Sequence, residues 1–216
     1  ENMSHSIRKN ITQIRQEIGN AELVVVSKYR TIEELNQVYE TNQRNFAENR
    51  VQELTKKKEL MPDDIHWHMI GHLQTNKVKF IAPFIHLIQS VDRIKLLKEI
   101  NKEAKKNNRV IPILFQVHIA EEEHKFGFSL SDLPTMIESN QLSEFNNIEV
   151  KGLMGMATNT TDKKIVTTEF IKLRSFFDKW KNQMNWTTLS MGMSGDYIEA
   201  IECGSTLIRV GSKIFQ

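Results

Sequence analysis

Leu23-Val24-Val25-Val26, followed at once by Ser27-Lys28, is a short, unbroken apolar run rich in β-branched residues. That is the pattern of a parallel strand buried on both faces. Before it, Ile7, Ile11, Ile14 and Ile18 recur at helical spacing, which predicts an amphipathic opening helix with Ser4 as its N-cap. After it the chain alternates. Thr31 to Gln43 reads as a helix, with Thr31 and Glu34 at capping-box spacing, and Asn45-Phe46-Ala47 reads as a short strand. Further strands are expected at His66 to Ile70, His86 to Gln89, Ile111 to Val117, Val150 to Met154, Thr187 to Ser190 and Leu207 to Val210. Helical stretches separate most of them, notably Asp92 to Lys106 and Lys163 to Lys181. About eight strand–helix steps, with no long linker, predict an α/β fold: a (β/α)8 TIM-like barrel with an extra N-terminal helix. An open doubly wound sheet is the alternative.

Composition sets the outer limits. With 216 residues, 39% of them hydrophobic, the whole of 1–216 is expected to form a single domain around one core. Lys and Arg total 29 against 27 for Asp and Glu, a formal charge of +2, so no global field favours nucleic acid or an anionic membrane. The one basic cluster, Lys56-Lys57-Lys58, follows the helical-looking stretch Asn49 to Leu54 and reads as a solvated helix end. Cys203, the sole cysteine, cannot form an intramolecular disulfide or a zinc site by itself and reads as a small buried residue near a helix end. Such thrift with cysteine suits a reducing cytosol. Glu1 to Asn20 lacks the continuous apolar core of a signal peptide, and a cytoplasmic location is expected.

In a barrel, chemistry gathers where strands end and the following loops converge. The residues at those ends are Lys28, Glu48-Asn49, Gly71-His72, Ser90 to Asp92, His118, Gly155-Met156, Met191 to Ser194, and Arg209 to Ser212. Lys28 directly follows the most apolar strand, where partial desolvation would favour the neutral amine and attack on an aldehyde. An exposed lysine that merely ends a strand is the plainer reading. Arg209 lies inside Leu207-Ile208-Arg209-Val210 and needs an acceptor if buried, either an internal carboxylate or a ligand's ring nitrogen or phosphate. Gly192, Ser194, Gly211 and Ser212 supply small residues and hydroxyls after the last two strands, where barrels often bind phosphate. Alone they are ordinary turn residues. His66, His68 and His72 could be drawn as a metal site, but no nearby cysteine completes the set and hydrogen-bonded histidines are expected instead. The Met-rich segments Leu153 to Met156 and Ser190 to Met193 read first as core filling. No glycine-rich nucleotide loop is present.

Several ordered motifs carry a resemblance along almost the whole chain. They are Val25-Val26-Ser27-Lys28, Glu48-Asn49-Arg50-Val51-Gln52-Glu53, Trp67-His68-Met69-Ile70-Gly71 with Leu73-Gln74-Thr75-Asn76-Lys77, and Gly152-Leu153-Met154. Ser190-Met191-Gly192-Met193-Ser194-Gly195-Asp196 and Gly204-Ser205-Thr206-Leu207-Ile208-Arg209-Val210-Gly211 complete the set. In these the chain resembles the pyridoxal-phosphate homeostasis protein family, single-domain relatives of the alanine racemase barrel. The resemblance implies a fold-type III barrel that binds pyridoxal 5′-phosphate as a Schiff base on Lys28, with Arg209 facing the ring nitrogen and Ser194, Gly211 and Ser212 holding the phosphate. Asn49, Met156 and Ser190 are implied to line the ring pocket. Because a guanidinium stays protonated, it donates to an unprotonated ring nitrogen and weakens the ring as an electron sink, so a handler of the cofactor is expected rather than a vigorous enzyme. Pyridoxal-phosphate-dependent apoenzymes are the expected recipients, and a monomer the expected state.

The chain departs from the family pattern at Ala47, where glycine is common, at Arg50, where tyrosine is frequent, at Phe126, which interrupts a familiar Lys-Ser-Gly, and at Ser212, which replaces threonine but keeps the hydroxyl. Two enzyme readings compete. An amino-acid racemase of this fold needs a tyrosine acid/base and an added β domain; nothing follows Phe215 but Gln216, and Tyr29, if the strand pattern persists, points away from Lys28. A cofactor-free Schiff-base aldolase would use the lysine without a ring partner or phosphate clamp. A pure interaction module would leave Lys28 dispensable.

Overall fold

The apolar run forms strand β1 (Glu22–Val26), whose last four residues are all buried. In the computed structural model, which describes residues 2–123 and 126–216, β1 opens a ring of parallel strands. The others are β2 (Asn45–Glu48), β3 (His66–Met69), β4 (Leu87–Val91), β5 (Ile111–His118), β6 (Ile148–Met156), β7 (Thr188–Met191) and β8 (Leu207–Val210). Each strand pairs with the next, and β8 returns to β1 with Val24 opposite Arg209 and Val25 opposite Val210. The sheet is therefore a closed barrel, and the open-sheet alternative falls because β1 and β8 have no free edge.

The helices are α1 (Asn2–Ile18), α2 (Ile32–Tyr39), α3 (Val51–Leu60), α4 (Val78–Ile81), α5 (Ile94–Lys106), α6 (Leu133–Glu138), α7 (Lys163–Met184) and α8 (Tyr197–Glu202). Ile7, Ile11, Ile14 and Ile18 are all buried, and α1 packs against α2 and α8, flanking the seam between β1 and β8. Ser4 is not its cap: the helix begins at Asn2 and Ser4 lies within the first turn. Thr31 does cap α2, its hydroxyl accepting from the Glu34 N–H at 3.1 Å while the Glu34 carboxylate accepts from the Thr31 N–H at 2.9 Å. This helix stops at Tyr39 rather than Gln43, because Asn42 turns left-handed (φ 71°) and the buried Gln43 amide donates to the carbonyls of Leu23 and Asn45. Asp92 likewise stays outside α5, bonded instead to Arg93.

Two apolar clusters result. The larger lies between sheet and helices and includes Ile11, Leu35, Trp67, Ile113, Phe170 and Leu189. The smaller fills the barrel with Val24, Ala47, Leu87, Leu114, Met154 and Leu207, drawn from β1, β2, β4, β5, β6 and β8. The other two strands, β3 and β7, contribute the buried polar side chains His68 and Ser190, and Gln89 on β4 and Arg209 on β8 join them. Arg209 lies two residues beyond Leu207 on the same face of β8, nearer the C-terminal mouth. Among the described residues no helix is long and apolar enough to cross a membrane. Thr31→Ala is expected to lower the unfolding free energy by about 1 kcal/mol, with Thr31→Ser nearly neutral, as read by urea denaturation.

Candidate functional site

At the C-terminal mouth, β1 hands over to a tight turn. The Ser27 N–H still donates to the Ala47 carbonyl at 2.9 Å, and the Arg30 N–H closes back on the Ser27 carbonyl at 3.2 Å. Lys28 is exposed in this turn, its ammonium 5.9 Å from the Tyr29 ring centre. The strand thus ends two residues before Lys28, whose side chain is exposed rather than partly buried as the apolar run led one to expect. Tyr29 is 93% exposed with φ 65°, so the strand pattern that would have turned it to the far side does not persist either.

Arg209 is the opposite case. It is 2% exposed, and its guanidinium donates to the Ser190 hydroxyl and, at 3.2 Å, to the Gly155 carbonyl. Both acceptors are neutral, and neither is the internal carboxylate that was one of the two expected partners. Burial pulls the guanidinium pKa down to about 10, with the charge of Asp196 opposing the shift. Close by, after β7 and β8, the Ser194 hydroxyl oxygen accepts from the N–H groups of Gly211 at 3.3 Å and Lys213 at 3.5 Å. Two backbone donors and a hydroxyl therefore converge on one point. Gly211 is tight there, since a Cβ would come 3.2 Å from the Val26 side chain. Ser212 is exposed in the same turn. Ser190 is fully buried, and Met156, at the end of β6, packs against the inner apolar cluster. Asn49 follows β2, and its carbonyl is approached so closely by Gly71 that any side chain at residue 71 would overlap it.

The histidines take separate partners. His68 bonds Gln89 and Asn45, both at 3.0 Å, His66 stacks on His86 at 4.4 Å, and His72 stacks on Phe126 at 4.0 Å with Asp92 3.4 Å away. Among the described residues no group of three metal-binding side chains is assembled. Tyr39 and Tyr197 do not serve the mouth: their hydroxyls donate to Asp64 at 2.8 Å and to Glu17 on α1 at 2.6 Å. Cys203 caps α8 and is half-buried rather than buried.

The alanine racemase N-terminal domain family matches residues 4–216. The pyridoxal phosphate homeostasis protein of Aquifex aeolicus is 39% identical over 198 residues, covering 90% of this chain and 86% of its own length. The chain belongs to this family. The protein of the same name from Schizosaccharomyces pombe is 36% identical over 210 residues, covering 94% of this chain and 88% of its own. PipY of Synechococcus elongatus PCC7942, solved with PLP bound, superposes with a TM-score of 0.88 at 29% identity, covering 97% of this chain and 100% of that one. Alanine racemase from Bartonella henselae shares the fold, with a TM-score of 0.76 at 16% identity, and this chain covers 57% of it.

Relative to the family pattern, Arg50 sits at the N-cap of α3 without a capping side-chain bond. With Asn49, Gln52, His72 and Lys77 it lines a 550 Å³ pocket at the rim. Lys125, where the Lys-Ser-Gly departure begins, lies outside the described residues; Phe126 stacks on His72. Lys57 departs furthest from its expected place at a solvated helix end. It is buried, not solvated, and its ammonium donates to the Ser27 carbonyl at 2.7 Å and to the Glu48 carboxylate at 2.5 Å, while the Ser27 hydroxyl donates to the same carboxylate at 2.5 Å. The backbone just before Lys28 is thereby clamped to α3. Val51, Leu54 and Lys57 fall three apart on the buried face of α3, a periodicity that the run of three lysines masks.

Breaking a buried pair strands one charge, so Lys57→Met is expected to cost about 3–5 kcal/mol in urea denaturation, with Glu48→Leu added to Lys57→Met recovering much of the loss. Acid should act through His68, whose pKa is held well below the ordinary 6.5 chiefly by burial and then by His86 and His66. A depressed folded pKa contributes stability that is present above the unfolded value and lost as pH falls. Unfolding free energy should therefore decline below pH 6.5, by up to about 1.4 kcal/mol per pH unit for that proton, and the slope should be shallower in His68→Gln.

Proposed function

We propose that this chain binds pyridoxal 5′-phosphate as a Schiff base on Lys28 and contributes to intracellular homeostasis of that cofactor, with 1–216 acting as one cofactor-binding barrel. The observation that carries the reading is Arg209: a guanidinium buried in the barrel mouth with two neutral acceptors retains N–H groups for a further acceptor. A pyridine nitrogen suits it. Bound there, the cofactor supplies an aldehyde that attaches reversibly to an amine.

Each remaining group has a matching task. Lys28 offers its amine from the rim. Ser194, Ser212 and the N–H of Gly211 present a hydroxyl-and-backbone cradle for the phosphate, the kind of donor set that follows the last strands of many barrels. Asn49, Met156 and Ser190 flank the ring. Arg209 donates rather than accepts, which withholds a proton from the ring nitrogen and restrains electron withdrawal. Tyr39 and Tyr197 are engaged elsewhere and Tyr29 lies in solvent, so no tyrosine stands opposite Lys28 as a racemase would require. The family name and the PLP-bound PipY structure support the same reading. Pyridoxal-phosphate-dependent apoenzymes are the recipients we propose, with the protein acting as a cytoplasmic monomer.

The test is the visible spectrum after incubation with pyridoxal phosphate, followed by borohydride reduction and peptide mass analysis. A yellow adduct trapped on Lys28 and missing from Lys28→Ala is expected; an adduct mainly elsewhere would sink the assignment. Ser194→Ala should weaken pyridoxal phosphate by about tenfold or more, as befits a lost bond to a charged group, and leave unphosphorylated pyridoxal nearly unaffected.

A further inference from the structure

A continuous line of hydrogen bonds leads away from Arg209 through the inside of the barrel. The guanidinium donates to the Ser190 hydroxyl oxygen; that hydroxyl lies 2.6 Å from Gln89 Oε1; Gln89 Nε2 lies 3.0 Å from His68 Nδ1; and His68 Nε2 lies 3.0 Å from Asn45 Oδ1. Ser190, Gln89, His68 and Arg209 are buried. One end fixes the direction of every bond. Arginine has donors only, so Ser190 must accept from it and pass its own hydrogen to the Gln89 carbonyl oxygen. The Gln89 amide then turns its NH₂ to His68, whose Nδ1 must accept, leaving the imidazole hydrogen on Nε2 to be donated to Asn45. A neutral imidazole is the form that does this, and burial keeps His68 neutral.

We infer that Gln89 and His68 are positioning residues for the ring-nitrogen contact: through Ser190 they hold Arg209 as a fixed N–H donor at the barrel mouth. Neither touches the cofactor; they act through a hydroxyl whose hydrogen must be drawn away before its oxygen can accept from the guanidinium. If Gln89 cannot accept, Ser190 loses its orientation, and Arg209 is free to seek other acceptors and must be reoriented at each binding event. The inference rests on the cofactor reading above.

The experiment compares pyridoxal phosphate with its 1-deaza analogue, in which carbon replaces the ring nitrogen, by titration followed in the visible spectrum. Gln89→Leu is expected to bind pyridoxal phosphate about five- to tenfold more weakly, the range of one ordinary hydrogen bond, and the deaza analogue within about twofold of the parent. His68→Leu should show the same selective loss, while His68→Gln, which keeps one acceptor and one donor, should restore most of it. A loss shared equally by both ligands, or no loss, overturns the positioning role while leaving the cofactor reading intact. Failure of the parent protein to bind pyridoxal phosphate at all overturns both. Independently of folding in the variants, the ¹⁵N spectrum of the parent protein without cofactor should show His68 as the Nε2–H tautomer at pH 7; an Nδ1–H tautomer or an imidazolium overturns the direction of the chain and the inference with it.

Discussion

Placing a guanidinium inside a barrel of 216 residues is the constraint around which the rest of the interior is arranged. Unpaired charge is expensive to bury, and a carboxylate partner would neutralise Arg209 and use up its donors. The barrel instead supplies neutral acceptors, and these need partners of their own. That need accounts for the buried polar side chains His68, Gln89 and Ser190 in an interior where an ordinary barrel would repeat valine or leucine. The polar side chains are satisfied in sequence rather than individually, so no one of them can be exchanged for a hydrocarbon without leaving a neighbour unpaired.

The two sides of the mouth are built on different principles. On the β7–β8 side the groups are fixed: Arg209 by burial, Ser194 by two backbone donors, Gly211 by close approach to Val26. On the β1–β2 side the backbone is fixed but the Lys28 side chain is not, since it extends into solvent from a turn whose preceding residue is held by Lys57, itself paired with Glu48. On the proposed function, recognition of a phosphate and attachment of an aldehyde would be divided between rigid and free elements.

Much of this was legible in the chain. The first parallel strand is read from its β-branched apolar run and the others from the alternation that follows, and all eight expected strands fell within a few residues of the observed ones. Lys28 and Arg209 stood out because a charge at the end of, or inside, an apolar run is locally conspicuous. What could not be read depends on partners distant in sequence. Gln89 meets Ser190 across 101 residues, and Lys57 meets Ser27 across 30, so nothing local distinguishes them from an ordinary glutamine and a surface lysine. Element ends failed for a related reason: Asn42 and Gln43 leave their helix because a buried amide finds two carbonyls on neighbouring strands, which outweighs the local preference of the segment.

The clamp beneath Lys28 has a mechanical consequence. With the Ser27 carbonyl pinned to α3, the turn cannot swing toward or away from the mouth without dislodging a buried ion pair. The Lys28 amine is therefore on a short leash, anchored at a stationary post, and its tip explores only the volume its own four-carbon arm can sweep. Its effective concentration at the mouth is set by that arm and not by loop opening. On the proposed function, capture and release would be side-chain events, open to any competing amine that can reach the same rim from solvent.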